Sequence, residues 1–443
     1  MIKKLKNKLE GDVHLKELLT GSAIAFILKS LGILLNFVLF YVITNQIGGA
    51  GLGFYNSNLQ LLIVLGTFGA LGLNQAILRF VGQYSKSNFP KLIFYYKKAF
   101  ILVGVASITL GLLLFFFSPL IVSTLNLNEN YTKSYRLISI SLPLYSISLV
   151  SIEFIRGLKK IQLSEILRSV MQPGLIILLA LTIQLTSNIE IILSLFIACL
   201  LVFLSSSFLV YFILKQRRET AVKSDTTELF STGFPLLVSN SSSVLLGALP
   251  IFFLGFYIDE LSVGLFSLNF KIASLVATAL FIINTIAAPK ISELYWNRER
   301  EELEKLIFQV SKIMFVSSLL ICSIILILGE YVLVRFDDNF ESGFSSLLAL
   351  TVGQFINGLT GSVGIFMSVT GHQKALRNII LIAVLAIFCC YSFIVPTYGL
   401  LGTSIISALG ASMINISCVI YIKRNEGIYT YYIPWRKSKK LTF

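Results

Sequence analysis

An all-α integral membrane protein is the fold class this sequence predicts, with about twelve transmembrane helices in two pseudo-symmetric six-helix lobes and both termini in the cytoplasm. Three observations predict it: apolar stretches of membrane-spanning length recur, Lys and Arg fall almost entirely on one side of them, and the two halves repeat at a spacing of 211 residues.

The chain of 443 residues is 56% hydrophobic and 13% charged, with mean hydropathy +0.84. That leaves too little polar surface to coat a water-soluble globule. A helix needs roughly 20 mostly apolar residues to cross the hydrocarbon, where every backbone polar group must be satisfied within its own segment. Such stretches lie near 19–45, 56–80, 98–120, 135–155, 166–186, 188–214, 232–257, 262–289, 311–333, 343–370, 377–396 and 398–422. The in-out alternation of a membrane β-barrel is absent from these Leu/Ile/Phe/Val runs. The first span is too long for a signal-peptide core, and no small-residue cleavage site follows it, so it is expected to remain a helix. Cys199, Cys322, Cys389, Cys390 and Cys418 all fall in spans, which predicts buried apolar thiols rather than disulfides or a metal site.

Lys and Arg resist translocation, so their distribution orients the helices. One side carries 31 of the 36, in the N-terminal arm, 79–98, 156–168, 215–223, 290–312, 374–377 and the tail. The opposite loops carry only Lys133, Arg136 and Arg335, while Lys29 and Lys271 lie inside spans. The basic loops are therefore cytoplasmic, and this bias accounts for the +14 net charge without nucleic acid. Tyr429, Tyr431, Tyr432 and Trp435 beside Arg436, Lys437, Lys439 and Lys440 read as an aromatic and cationic interface anchor. The domain plan is a cytoplasmic arm (1–18), an N-lobe (19–214), a hydrophilic linker (215–231), a C-lobe (232–422) and a basic, aromatic tail (423–443).

The lobes align without a gap over their second helices. A shift of 211 lays Ile47 on Ile258, Gly53 on Gly264, Asn58 on Asn269, Arg79 on Lys290 and Tyr84 on Tyr295. Further on, a shift of 214 lays Gly157 on Gly371 and Lys160 on Lys374. An even number of spans per half makes the repeats parallel, related by an axis along the membrane normal.

The first hairpin IGGAGLGFYNSNLQLLIVLGTFGALGLNQAILRF (47–80), TGHQKALRN (370–378) and VPTYGLLGTSIISAL (395–409) carry a family resemblance. In them the chain resembles the polysaccharide-transporter branch of the multidrug/oligosaccharidyl-lipid/polysaccharide (MOP) exporter superfamily, over nearly its whole length. The resemblance implies a MATE-like fold and no cofactor. It implies flipping of an undecaprenyl-pyrophosphate-linked oligosaccharide across the bacterial inner membrane, for O-antigen, capsule or exopolysaccharide assembly. Membrane lipids and the polysaccharide polymerase and chain-length machinery are the further partners it implies. Peptidoglycan-precursor flippases usually carry two more helices, for which there is no room here.

The chemistry-bearing residues inside the membrane are few. Asp and Glu are expected in loops or at span ends, with Glu153 and Glu190 nearest to lipid, so Lys29 and Lys271 read as cations without a carboxylate partner. Each lies about nine residues into its span, roughly 13 Å deep. An ionisable group there needs water or an anion, and one lysine per lobe suits a pyrophosphate in a central cavity; snorkelling to an interface is the alternative. Arg79 and Lys290 could meet phosphates at the cytoplasmic leaflet or simply anchor their helices. Asn36, Asn58, Gln60 and Asn269, with further span amides, could bind sugar hydroxyls or tie helices together.

Other signals read as structural. Glu153 and Arg156 form a local ion pair. Gly48, Gly49, Gly51 and Gly53 make a tight interhelical turn, since no βαβ context supports a nucleotide loop. His14 and His372 are lone loop histidines without metal-ligand company. Asn130-Tyr131-Thr132 would be glycosylated only in a eukaryotic secretory pathway. A membrane-embedded glycan polymerase or ligase would need a larger outer loop than 120–135 or 333–343. A drug or cation exporter of the same superfamily would need mid-membrane acids.

Overall fold

The computed structural model describes residues 13–217 and 225–432. The N-terminal arm up to residue 12, linker residues 218–224 and the tail from 433, with Trp435, Arg436, Lys437, Lys439 and Lys440, lie outside the described residues. So does the side chain of His14. Every element of the described residues is helical.

Helices α1 (13–47) and α2 (49–69) are one helical stretch, Val13–Gly69, broken only at Gly48 with φ 75°. After a second break α2 resumes as Leu73–Tyr84. Then come α3 (Phe89–Thr124), α4 (Asn130–Gly157), α5 (Ile161–Glu165, a π turn Ile166–Met171, then Gln172–Ile183) and α6 (Asn188–Arg217). The second half holds α7 (Thr227–Tyr257), α8 (Glu260–Trp296), α9 (Arg300–Phe336) and α10 (Phe344–Thr360 with Val363–Val369). Its last stretch, Gln373–Glu426, breaks at Gly399 into α11 (373–398) and α12 (400–426). Uninterrupted apolar length alone counts nine or ten spans among the described residues. The breaks at Gly48 and Gly399 divide two over-long stretches and restore the expected twelve.

The chain forms two compact units. Of the described residues, the first holds those up to Ile47 together with those of Asn58–Val244; the second holds Gly48–Ser57 together with those from Leu245. The changeover thus falls within α7 rather than in the linker, and the α1–α2 turn packs with the second unit.

Because lipid is as apolar as leucine, helices in a bilayer associate by close packing and hydrogen bonds, which favours small residues at contacts. In the first unit α4 presents buried Ser134, Ser139, Ser141, Ser146, Ser148 and Ser151. Ser141 and Ser148 donate back to carbonyls one turn earlier, Ser146 donates across to the Gly66 carbonyl at 3.2 Å, and Ser151 meets the Tyr96 hydroxyl at 2.9 Å. The break in α2 follows from Leu71 and Gly72, both left-handed at φ 53° and 70°. A side chain on Gly72 would sit 2.2 Å from the Gly233 carbonyl, so only glycine allows α7 to pass there.

The second unit is organised around a contact between repeat mates. A Cβ on Gly53 would lie 1.7 Å from the Glu260 carbonyl oxygen, and one on Gly264 would lie 2.2 Å from that of Gly49. The start of α2 and the start of α8 therefore touch backbone to backbone. The Gly49 amide donates to Asp337 at 2.8 Å, and the buried Phe340 lies against Gly49, so the α9–α10 loop closes over this crossing.

Outward faces carry bare hydrocarbon: Phe116, Ile286, Ile327 and Phe393 are all more than 70% exposed. Cys389 and Cys390 are likewise exposed, which corrects the expectation that all five thiols are buried; Cys199, Cys322 and Cys418 are buried. The last described residues dock on α9, with Tyr432 between Phe308 and Phe315 and the Thr430 carbonyl accepting from Ser311.

The glycine crossing has a direct test. Gly53→Val or Gly264→Val must force backbones apart, a cost of several kcal/mol on the scale of core overpacking. Both variants are expected to lose the monodisperse detergent-solubilised peak in size-exclusion chromatography. Gly174→Ala, where an added Cβ meets nothing within 4 Å, is expected to keep it.

Candidate functional site

Ionisable groups inside apolar helices are costly and so mark function or structure of special value. In the first unit they gather around α4 and α5. Glu153, on α4, is 1% exposed and is the buried carboxylate of the described residues. Its Oε1 accepts from the Arg168 guanidinium, and Arg156 approaches Oε2 at 3.5 Å. The expected local pair with Arg156 is thus present but secondary. Arg168 reaches α4 from the π turn of α5, where one extra residue per turn re-aims the side chains that follow. Tyr145, Ser148, Gln172 and Cys199 complete a cavity of about 70 Å³ beside this pair.

Lys29 belongs to the same neighbourhood. Three residues further along α1, a Cβ on Gly32 would lie 2.5 Å from the Ser169 carbonyl oxygen, so α1 and α5 run in backbone contact. The charges acting on the half-buried Lys29 are those of Glu165, Arg168 and Arg156. This corrects the expectation of a cation without carboxylate company, because Glu165 supplies one. Lys29, Arg156 and Arg168 share this neighbourhood with Glu153 and Glu165, one cation more than carboxylates, and the ion pairs within it are those of Arg168 and Arg156 with Glu153. Asn36, one turn beyond Gly32, spends its amide on the Gly32 carbonyl at 2.7 Å.

The other expected site residues are distributed as follows. In the first unit, Asn58 is fully buried, Gln60 is half-buried, and Arg79 is exposed at the cytoplasmic end of α2. In the second unit, Lys271 is half-buried on α8. Asn269 is fully buried and donates to the Gly343 carbonyl at 2.9 Å, pinning α8 to the start of α10. Lys290 is exposed and pairs with Glu293 at 2.7 Å.

At the cytoplasmic ends, the repeat-related tyrosines perform matching tasks. Tyr84 donates to Glu228 at 2.9 Å, and the same carboxylate accepts from Lys91 at 3.0 Å and from Tyr95. Tyr295 donates to Glu426 at 3.0 Å, whose carboxylate also meets His372 Nε2 at 2.7 Å. His372 is therefore not a lone loop histidine: a glutamate 54 residues away and Tyr421, at 3.3 Å, hold it. In each unit the second helix is clasped through its tyrosine to one glutamate, Glu228 in the first turn of α7 and Glu426 at the end of α12. Among the described residues no group of three His, Cys, Asp or Glu could hold a metal.

Sequence reasoning missed Arg168 and Glu165, which it counted in a basic loop and at a span edge. The spacing that could have revealed them is the return of a basic residue fifteen positions after the Glu153 carboxylate, at the start of the next span.

The match to the family described as "Polysaccharide biosynthesis protein" covers residues 18–295. No curated protein matches the chain. Among solved structures, the chain is similar to an inward-facing multidrug resistance MATE family transporter of the MOP superfamily, with TM-score 0.71, 17% identity and coverage of 92% of this chain and 98% of that one. It is also similar to the MATE multidrug transporter DinF-BH, with TM-score 0.67, 19% identity and coverage of 94% and 96%. A third is a MOP superfamily transporter from Pyrococcus furiosus, whose reverse polarity of binding pocket is said to suggest a different function; TM-score is 0.65, identity 17%, and coverage 93% and 96%. At such identities these likenesses speak for the fold. With the family match extending over more than half its length, the chain belongs to the polysaccharide biosynthesis protein family and folds as a MOP-superfamily transporter does.

Proposed function

We propose that the protein flips an undecaprenyl-pyrophosphate-linked oligosaccharide from the cytoplasmic to the outer face of the bacterial inner membrane by alternating access, supplying O-antigen, capsular or exopolysaccharide assembly. The observation that carries this reading is the positive surplus at Lys29, Arg156 and Arg168 around the buried Glu153 of the first unit. A pyrophosphate moving into lipid must exchange water for fixed cations, and this cluster offers them at the border of the helices, with Lys29 half-buried and Arg156 and Arg168 reachable from solvent. Glu165 and Glu153 hold the cations while cargo is away; an arriving phosphate competes with them for the same donors. Lys271 serves the same purpose in the second unit, Arg79 and Lys290 receive the phosphates at the cytoplasmic leaflet, and the amides of Asn36, Asn58, Gln60 and Asn269 are the candidates for sugar contact. The named polarity reversal in the Pyrococcus furiosus relative supports taking charge sign as a guide to cargo within this fold.

One observation favours a drug or cation exporter instead: Glu153 is a buried carboxylate, and multidrug transporters share the fold. Against it stands Arg168, which already neutralises that carboxylate. An enzyme reading has no comparable constellation among the described residues.

Deleting the gene is expected to abolish surface glycan and accumulate lipid-linked oligosaccharide in the cytoplasmic leaflet; normal glycan with new drug sensitivity would favour the exporter. Lys29→Ala and Lys271→Ala are each expected to lower surface glycan at least tenfold at unchanged membrane abundance, and full export by both would remove their assigned roles. Arg168→Met should destabilise the first unit by about 1–3 kcal/mol, since it strips the nearer partner from a buried carboxylate. Adding Glu153→Gln should restore the thermal midpoint in detergent without restoring export; recovery of export would show Arg168 to be structural only.

A further inference from the structure

The second unit contains a cavity that the charged cluster does not explain. It has a volume of about 310 Å³ and lies where three connections meet: the α7–α8 turn, the α9–α10 loop and the α11–α12 break. The charge-based orientation puts all three on the outer side of the membrane. A volume near 300 Å³ is at the lower end for small-ligand sites, enough for a sugar ring or two rather than for a whole oligosaccharide.

Its polar lining is neutral and consists of Ser262, Asn339, Ser342, Ser345, Ser346 and Tyr398, over a base of leucines. Some of these groups serve the fold. Ser346 bonds Ser404, Ser342 donates to the Asn339 carbonyl at 3.1 Å, and the Asn339 side-chain amide donates to Asp337 at 2.9 Å. The hydroxyls of Ser345 and Tyr398 take no part in these bonds. Tyr398 is 70% exposed, and the residue after it, Gly399, turns the chain at φ 50° and ψ −133°, so the ring stands at the break between helices instead of inside one.

The surrounding charge narrows the ligand. The segments that supply the lining also carry Asp259, Glu260, Asp337, Asp338 and Glu341 against one base, Arg335, which itself is bonded to Tyr331 at 3.0 Å. An acidic fringe repels phosphates and carboxylates. What remains is a ligand rich in hydroxyls, without negative charge, with one apolar face. A neutral pyranose has both features: hydroxyls at its edge for Ser345 and Asn339, and a C–H face for the electron-rich face of the tyrosine ring.

We infer that this outer cavity of the second unit is a docking site for a neutral sugar ring, engaging the glycan part of the cargo after translocation while its acidic fringe turns the pyrophosphate away. The inference rests on the flippase reading for its place in transport, though not for the binding itself.

The test uses the full chain in lipid nanodiscs and saturation-transfer difference NMR against a panel of neutral hexoses, 6-deoxyhexoses and N-acetylhexosamines, with glucose 6-phosphate as the anionic counterpart and empty nanodiscs as blank. At least one neutral sugar is expected to receive saturation on its ring protons and the phosphate none. Tyr398→Ala and Ser345→Leu are each expected to reduce the signal at least fivefold, while Gly174→Ala leaves it unchanged. Both substituted positions are exposed, so folding is retained, as size-exclusion chromatography will verify. Silence across the panel, equal saturation of glucose 6-phosphate, a signal matched by empty nanodiscs, or full signal in both pocket variants overturns the site. Sugar binding in a protein whose deletion leaves surface glycan intact would overturn the flippase reading alone; a silent panel with intact glycan export would overturn the pocket alone.

Discussion

Backbone contact between Gly53 and Gly264 is the constraint from which the rest of the second unit follows. A bilayer offers helices no hydrophobic reward for meeting, so the meeting must be made by shape and by hydrogen bonds. Without side chains at this point, the start of α2 and the start of α8 come close enough for carbonyl and amide atoms to face each other. The α9–α10 loop then seals the crossing through Asp337 on the Gly49 amide and Phe340 against Gly49. Asn269 fixes the far side of that loop through the Gly343 carbonyl. The outer cavity with its serine and tyrosine lining is bounded by the same loop, so its shape is inherited from the glycine crossing.

The repeat supplies a second economy. Tyr84 and Tyr295 occupy equivalent positions and each binds a glutamate near the end of its own six-helix set, Glu228 at the start of α7 and Glu426 at the end of α12. The two glutamates, Glu228 and Glu426, are not repeat mates in the aligned sense; they arrive from different elements. What is repeated is the task of closing a six-helix set on its second helix. The remaining partners differ accordingly, Lys91 and Tyr95 in one case and His372 in the other.

Charge within the helices is balanced but not cancelled. Glu153 would be an expensive buried anion alone; Arg168 and Arg156, themselves partly exposed, satisfy it from the helix surface. Lys29 and Glu165 extend the network toward α1. The π turn of α5 is the local irregularity that brings Arg168 into this network.

The sequence by itself determined the class, the twelve helices, their orientation and the repeat. Each is a property of local composition, because a segment in lipid must satisfy its own backbone and because Lys and Arg stay on the side where they are made. Gly53 and Gly264 already stood in register in the sequence, but that they touch is a fact of the tertiary structure. Only the tertiary structure decided which charges meet. Glu153 finds Arg168 across a helix–helix contact and a π turn, neither of which leaves a periodic trace. Lys29 gains Glu165 through the Gly32 approach of α1 to α5, and His372 meets Glu426 over 54 residues of chain. Burial was decided at the same level: hydropathy alone could not tell the exposed Cys389 and Cys390 from the packed Cys199, nor say that Asn58 and Asn269 would lie in the interior. Facing lipid and facing another helix demand the same apolar residues, so composition marks the span while packing alone chooses the face.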